Sequence, residues 1–164
     1  MHFTYCPHCG SLLGERILGD EGAVPWCAAC NVPLFDMFST CVICAAVNEQ
    51  HEVALINEKR YNSDLLVCVA GYIQPGESAE EAAVREIKEE IGQQVKHLTF
   101  MQSYPMGQRS LLMLGFCAEV DKQPFTISSE LTDAQWVPFD QALSHIREGS
   151  VAWQLVKAVI NERS

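Results

Sequence analysis

The stretch Gly71-Tyr-Ile-Gln-Pro-Gly-Glu77-Ser-Ala-Glu-Glu-Ala-Ala-Val-Arg85-Glu86-Ile-Lys-Glu89-Glu90-Ile-Gly92 decides the fold of this 164-residue chain, because it specifies a turn followed by a helix. Pro75-Gly76 favours the turn. Ser78 is a good N-cap, and Glu81 three residues later completes a capping box, so the helix is predicted to begin there. Gly92 is predicted to end it.

The predicted helix concentrates carboxylates on one face. They stand at positions i, i+3 and i+4 and belong to Glu86, Glu89 and Glu90. An apolar stripe is predicted on another face, from Val84, Ile87 and Ile91. A solvated acidic surface is the alternative, although such surfaces usually alternate the sign of their charges. Clustered carboxylates favour a hard cation such as Mg²⁺ or Mn²⁺, which a chain of formal charge −10 needs in order to bind a polyphosphate.

The same stretch resembles the Nudix box, a fixed pattern of glycine, glutamate, Arg-Glu, Glu-Glu and glycine. The matching positions are Gly71, Glu77, Arg85, Glu86, Ile87, Glu89, Glu90 and Gly92, whereas Gln93 replaces an aliphatic residue. The resemblance implies a mixed α+β fold, the Nudix α/β/α sandwich, and metal-dependent hydrolysis of a nucleoside diphosphate linked to another group. It also implies that Arg85 orients a carboxylate and that the Mg²⁺ or Mn²⁺ ligands are Glu86, Glu89, Glu90 and the Gly71 carbonyl.

Two cysteine pairs near the N-terminus form a second motif. Cys6-Pro-His-Cys9 and Cys27-Ala-Ala-Cys30 are separated by seventeen residues, a spacing typical of a four-thiolate zinc ribbon. Disulfides are the alternative, but the first ten residues do not resemble a secretion signal. The predicted organisation is a zinc ribbon at residues 1–36 and a Nudix hydrolase domain at residues 37–164.

The other four cysteines are predicted to pack in the core. Cys41 and Cys44 lie in a short apolar run that favours a buried strand, where residues three apart point to opposite faces. Cys68 and Cys117 also lie in apolar runs. Free thiols in a core predict a reducing compartment, the cytoplasm.

Further elements follow from hydrophobic pattern and turn residues. Strands are predicted near 41–47, 53–57, 65–70, 98–103, 111–120 and 135–137, with a turn at Pro105-Met-Gly and a loop at 120–129. Helices are predicted at 140–148 and 151–162. Strands mixed with helices in this order suit a sheet sandwiched between helices.

Features outside the box narrow the predicted substrate. A zinc ribbon ahead of a Nudix domain resembles the arrangement in NADH pyrophosphatases. The segment from Gln102 to Ser110 is similar to that family's downstream signature, and Ser150-Val-Ala152 is similar to its closing segment. The predicted substrate-binding residues are Gln102, Tyr104, Arg109, Ser110 and Ala152. For Tyr104 a core role, and for Arg109 a surface role, remain open.

One acid after the box also matches that family. Glu130 is predicted to supply a metal ligand or a general base, with a solvated loop glutamate as the alternative and Asp133 as the nearby competitor.

Composition limits the partners. No apolar run approaches the roughly 20 residues that cross a bilayer, so no membrane partner is predicted. The eleven Lys and Arg residues are scattered, which disfavours nucleic acid. The resemblance to a family with many dimers leaves a homodimer open.

The predicted activity is hydrolysis of the pyrophosphate of NADH, NAD⁺ or a related ADP-ribosyl dinucleotide, releasing AMP. ADP-ribose or another nucleoside diphosphate derivative is the nearest alternative. Two alternatives of other classes are a nucleotide sensor without catalysis and a zinc-ribbon adaptor.

Overall fold

The structure, a computed structural model, describes residues 3–59 and 65–163. The chain divides into two compact units, Met1–Ser39 and Thr40–Ser164. Within the described residues, none of the helices is both long and apolar enough to span a bilayer.

The N-terminal unit is a small antiparallel sheet in the order β1-β2-β3. Its strands are β1 (Gly14–Ile17), β2 (Ala23–Cys27) and β3 (Val32–Pro33). Among the described residues of this unit only Cys6, Val24 and Cys27 are buried. So small an apolar core does not offset the entropy of ordering the chain, and the unit therefore needs a cross-link.

The larger unit is built on one sheet in the order β7-β8-β4-β5-β9, with β6 pairing with β4. The strands are β4 (Ser39–Val47), β5 (Glu52–Glu58), β6 (Val69–Tyr72), β7 (Val95–Met106), β8 (Leu111–Val120) and β9 (Leu131–Pro138). The helices are α1 (Ala79–Ile91), α2 (Phe139–His145) and α3 (Val151–Arg163).

Both faces of this sheet are covered. One apolar cluster joins alternate residues of β4, such as Val42 and Cys44, to Ile87 and Ile91 of α1. The residues between them, such as Ile43, pack in a second cluster with α2 and α3. Strands buried on both faces are apolar without alternation, which is the pattern of β4. The predicted α/β/α sandwich is confirmed.

Helix α1 follows the predicted capping chemistry. The Glu81 amide donates to Ser78 Oγ at 3.2 Å, and the Ser78 amide donates to Glu81 Oε2 at 2.8 Å. Gly92 has φ 73°, the left-handed conformation that suits a helix C-cap. The predicted apolar stripe is wrong at Val84, which is 43% exposed. The buried face runs instead through Ala83, Ile87 and Ile91, because residues four apart share a helix face and Val84 lies one residue further round.

Several predicted boundaries shift. The strand predicted at 65–70 begins at Val69, since Leu66 and Val67 make only isolated bridges. The turn predicted at 105–107 lies later, in the 3₁₀ turn Gly107–Arg109 that joins β7 to β8, and Pro105 belongs to β7, an edge strand where proline is tolerated. The helix predicted at 140–148 ends at His145, because Ile146 is extended and bridges Leu66.

The remaining elements lie near their predicted positions. The strands predicted near 41–47, 53–57 and 111–120 and the last helix agree with the structure within a few residues. Residues 121–130 contain no helix or strand, as the predicted loop requires. The strand predicted at 135–137 is longer and begins at Leu131, so Glu130 immediately precedes it.

Candidate active site and metal centre

Arg85 is the centre of an ion-pair network among the glutamates of the box. Its Nε and Nη2 donate to the two oxygens of Glu77 at 2.7 and 2.9 Å, a bidentate pair. Its Nη1 donates to Glu86 at 2.6 Å and to Glu89 at 3.1 Å. Its Nη2 also donates to the Tyr72 carbonyl at 3.1 Å. Arg85 therefore ties the loop after β6 to the acidic face of α1.

This network sets the protonation of the loop acid. Hydrogen bonds from Arg85, and then from the Gln74 amide, lower the pKa of Glu77 to about 2. The pKa of Arg85 is raised, chiefly by its hydrogen bond to Glu77 and then by those to its other acidic partners. Both partners are charged near neutral pH, so Glu77 serves to hold Arg85 in place.

Gly71 and Glu86 approach each other closely. A Cβ on Gly71 would lie 1.9 Å from the Glu86 carboxyl carbon, so the position admits only glycine while Glu86 keeps this rotamer. Gly71 lies in β6 opposite Val42 of β4. The Glu86 side chain is only 12% exposed. The glycine of the box is therefore required by space, since its φ lies outside the left-handed region.

Glu90 lies among other acids. Partial burial raises the pKa of its carboxyl. The charges of Glu130, Glu86 and Glu58 raise this pKa further, and a hydrogen bond from Ser128 lowers it. Three neighbouring carboxylates acting on one carboxyl create a negative potential that a divalent cation would relieve.

The carboxylates are not gathered around one point. In the described ranges, the four cysteines of the ribbon are the one set of three or more His, Cys, Asp or Glu side chains whose ligand atoms all lie within 4.8 Å of one another. Arg85 instead engages Glu86 and Glu89, and the Glu89 side chain is 58% exposed. The donor set is all oxygen and fits Mg²⁺ or Mn²⁺, both of which accept water and substrate oxygens as further ligands.

A cavity of about 580 Å³ adjoins the acidic residues. Glu58 and Ala70 both line it. Glu58 also acts electrostatically on Glu90, and Ala70 precedes Gly71 in the chain. Pockets for small ligands typically measure about 300–1,000 Å³, so the volume suits a nucleoside.

The predicted substrate-binding residues divide into two groups. Arg109 and Ala152 line the cavity. Gln102 is exposed on β7 and Ser110 follows the 3₁₀ turn Gly107–Arg109; neither lines the cavity.

Tyr104 belongs to the core. It is 5% exposed, its hydroxyl has no hydrogen-bond partner among the described residues, and a Cβ on Gly115 would lie 2.7 Å from its ring. The ring therefore packs over a glycine in β8, which favours the core role that the sequence leaves open; the predicted contact of Tyr104 with substrate stays a prediction.

Three residues near the site are not indicated by any sequence pattern. Glu58 ends β5 after a bulge and pairs with Leu131, beside Glu130. Arg147 lines the cavity from the loop between α2 and α3. Ser128 donates a hydrogen bond to Glu90 at 2.9 Å. None of them lies in a motif, and only the packing of distant segments brings them to the site.

The four ribbon cysteines converge. Cys6 and Cys30 have sulfurs 3.9 Å apart, and the Cys9 and Cys27 sulfurs are 3.5 Å apart. Thiolates around a tetrahedral Zn²⁺ with bonds of about 2.3 Å lie about 3.8 Å from each other. The Cys30 amide donates to Cys27 Sγ at 3.3 Å, which stabilises a thiolate ligand. The cluster is compatible with a zinc ribbon.

The titration of these thiols reflects their proximity. Hydrogen bonds with Ser11 lower the pKa of Cys9 to about 6. Interactions with the Cys9 and Cys27 thiols raise the pKa of Cys30 to about 12, because a second thiolate beside the first is unfavourable. A divalent cation would remove that repulsion.

Comparison with known proteins defines the class. The NUDIX domain family matches residues 37–159. The chain therefore belongs to the Nudix family, as the box predicts. The crystal structure of a NUDIX hydrolase from Nitrosomonas europaea shares the fold with a TM-score of 0.74 at 19% identity, over 98% of this chain and 92% of that one.

Similarity in sequence indicates a narrower group within the Nudix family. The chain is 32% identical over 161 residues to the NAD-capped RNA hydrolase NudC of Haemophilus influenzae (strain PittGG) and 27% identical over 159 residues to that of Vibrio parahaemolyticus. These alignments take in 95% and 96% of this chain. The chain spans 60% of the length of each relative.

Proposed function

We propose that this chain hydrolyses the pyrophosphate bond of NADH, NAD⁺ or a related ADP-ribosyl dinucleotide and releases AMP. The observation that carries the proposal is the cavity of about 580 Å³, which is lined by Glu58, a residue whose charge acts on Glu90 of the Nudix box. A nucleoside held there would place its diphosphate near Glu86 and Glu90. The resemblance to relatives named for NAD supports the dinucleotide.

The cation site is proposed to hold Mg²⁺ or Mn²⁺. Its ligands would be Glu86, Glu89, Glu90, Glu130 and the Gly71 carbonyl. When bound, such a cation neutralises the phosphate oxygens and lowers the pKa of the attacking water. A carboxylate of the cluster or Glu130 would accept the proton of the attacking water.

The chain's other residues would position the reactants. Arg85 holds Glu86 and Glu89, and Glu77 holds Arg85. Arg109 supplies a planar fork for phosphate at the cavity, and Ala152 leaves room there for the nucleoside. Gln102 and Ser110, which lie outside the cavity, are proposed only as contacts to a part of the substrate that extends beyond it.

We further propose that residues 1–36 are a ribbon organised by structural Zn²⁺ and that residues 37–164 are the hydrolase domain. The spacing of the four sulfurs supports zinc. A cytoplasmic location and a homodimer stay predictions.

Measuring substrate turnover tests the proposed activity. The protein is incubated with Mg²⁺ or Mn²⁺ and a panel of NADH, NAD⁺, ADP-ribose, dinucleoside polyphosphates and nucleotide sugars, and AMP release is measured. We expect the highest kcat/KM with NADH or NAD⁺. Binding of a nucleotide with no cleavage of any pyrophosphate would favour the sensor instead.

Two further arms sharpen this test. Glu90→Gln keeps the shape of the side chain and removes its charge, so kcat should fall by at least about 100-fold, more than the loss typical of an outer-shell partner. Unchanged turnover would remove Glu90 from the mechanism. The second arm measures cleavage of RNA with a 5′ NAD cap, the substrate in the relatives' name. We expect slower cleavage than with the free dinucleotide, because a chain with a net charge of −10 repels RNA.

A further inference from the structure

Ser128 links two acids that come from different parts of the chain. Its Oγ donates to Glu90 Oε2 at 2.9 Å, and its amide donates to the Glu90 carbonyl at 3.0 Å. The Glu130 amide donates to Ser128 Oγ at 3.3 Å. One serine therefore contacts the last turn of α1 and the residue that immediately precedes β9.

The direction of the serine hydroxyl follows from these partners. A backbone amide can only donate, so Ser128 Oγ must accept from Glu130. Its own hydrogen then points to the carboxylate of Glu90, which can only accept while ionised. The bond occupies one oxygen of Glu90 and leaves the other for a further partner.

A second anchor holds the same loop from another part of the chain. Lys59 Nζ donates to the Ser129 carbonyl at 2.6 Å, and the Lys59 amide donates to the Glu130 carbonyl at 3.0 Å. Lys59 follows β5, whose last residue is Glu58. The backbone that presents Glu130 is thus fixed to β5 by Lys59 and to α1 by Ser128.

We propose that Ser128 is a positioning residue that holds the Glu90 carboxylate and Glu130 in the relative arrangement needed to bind one divalent cation. This rests on the proposed function, in which both glutamates are ligands. Lys59 sets where the loop lies, whereas Ser128 also orients a ligand side chain. Outer-shell hydrogen bonds of this kind are worth about 10–100-fold in metal affinity.

The experiment measures Mn²⁺ binding and Mn²⁺ dependence of activity in the full chain. Mn²⁺ alone is titrated and followed by electron paramagnetic resonance, and AMP release from the best substrate is measured against Mn²⁺ concentration. We expect Ser128→Ala to weaken Mn²⁺ binding at least tenfold and to raise the half-saturating Mn²⁺ concentration in parallel, with the KM for substrate unchanged. The matched control is Ser129→Ala, which removes the same atom from the neighbouring, exposed side chain. It should bind Mn²⁺ as the wild type does.

A second pair separates the hydroxyl from packing. Thr and Val have nearly the same shape, so Ser128→Thr should retain Mn²⁺ affinity while Ser128→Val loses it. Equal affinity in this pair, or equal loss in the two alanine variants, would overturn the proposal. Wild-type protein that binds Mn²⁺ but cleaves no pyrophosphate would refute the proposed function alone, because the binding arm still tests Ser128.

Discussion

Replacing Gly71 by alanine should damage the site far more than the fold. The new Cβ would lie 1.9 Å from the Glu86 carboxyl carbon and from Oε1, so the carboxylate must retreat by at least about 1.1 Å to restore a 3.0 Å contact. That shift breaks the 2.6 Å bond from Arg85 to Glu86. A misplacement of about 1 Å costs about 100-fold in rate, or about 2.7 kcal/mol of transition-state stabilisation.

Stability should change little in this variant. The displaced group is the end of a flexible side chain, and Gly71 has no left-handed backbone conformation that alanine would resist. The bidentate pair of Arg85 with Glu77 remains. We expect kcat/KM for the best pyrophosphate substrate to fall about 100-fold while the Tm moves by only a few degrees.

The matched control is Gly14→Ala, which adds the same methyl group where, beyond the two chain neighbours, no atom of the described residues lies within 4 Å. It should retain wild-type kcat/KM. If Gly71→Ala kept full activity, or if both variants lost activity equally, the close approach of Gly71 and Glu86 would not be what requires glycine.

Two further predictions concern stability. Because Arg85 lowers the pKa of Glu77 from 4.5 to about 2, the stabilisation from this pair is complete above pH 4.5 and is lost as the pH falls toward 2. The urea midpoint of Glu77→Gln should therefore depend less on pH in that window than the urea midpoint of the wild type. The same pH dependence in both proteins would refute the pair's role. Removing metal with a strong chelator should abolish amide-exchange protection in Met1–Ser39 and leave that of Thr40–Ser164 unchanged, since the first unit buries little besides its cysteines. Retained protection in the first unit would exclude a structural metal.

Helix α1 shows how far local sequence can predict this structure. Ser78, Glu81 and Gly92 specify its ends through contacts within a few residues, and the structure has those contacts. Val84 shows the limit, because the choice between neighbouring faces of a helix depends on what packs against it. Ala82 and Ala83 are small enough to lie against the sheet, and Val84 is left exposed.

In the candidate site, too, some features follow from local sequence and others only from packing. The acids at positions 86, 89 and 90 are predictable because one helix carries them. The role of Tyr104 is ambiguous in the sequence, since an aromatic residue in a strand suits stacking on a base or packing in a core equally well. In the structure its ring lies against Gly115 of β8, which favours the core.

The sequence by itself determined the family, the helix that carries the acids and the four cysteines that converge, because each is a matter of residue type at short, regular spacing. Only the tertiary structure decided which distant residues join them. Glu58 reaches the acids through the pairing of β5 with β9, and Ser128 does so through the loop that returns to α1. Such contacts depend on sheet order and loop path, which no local pattern encodes.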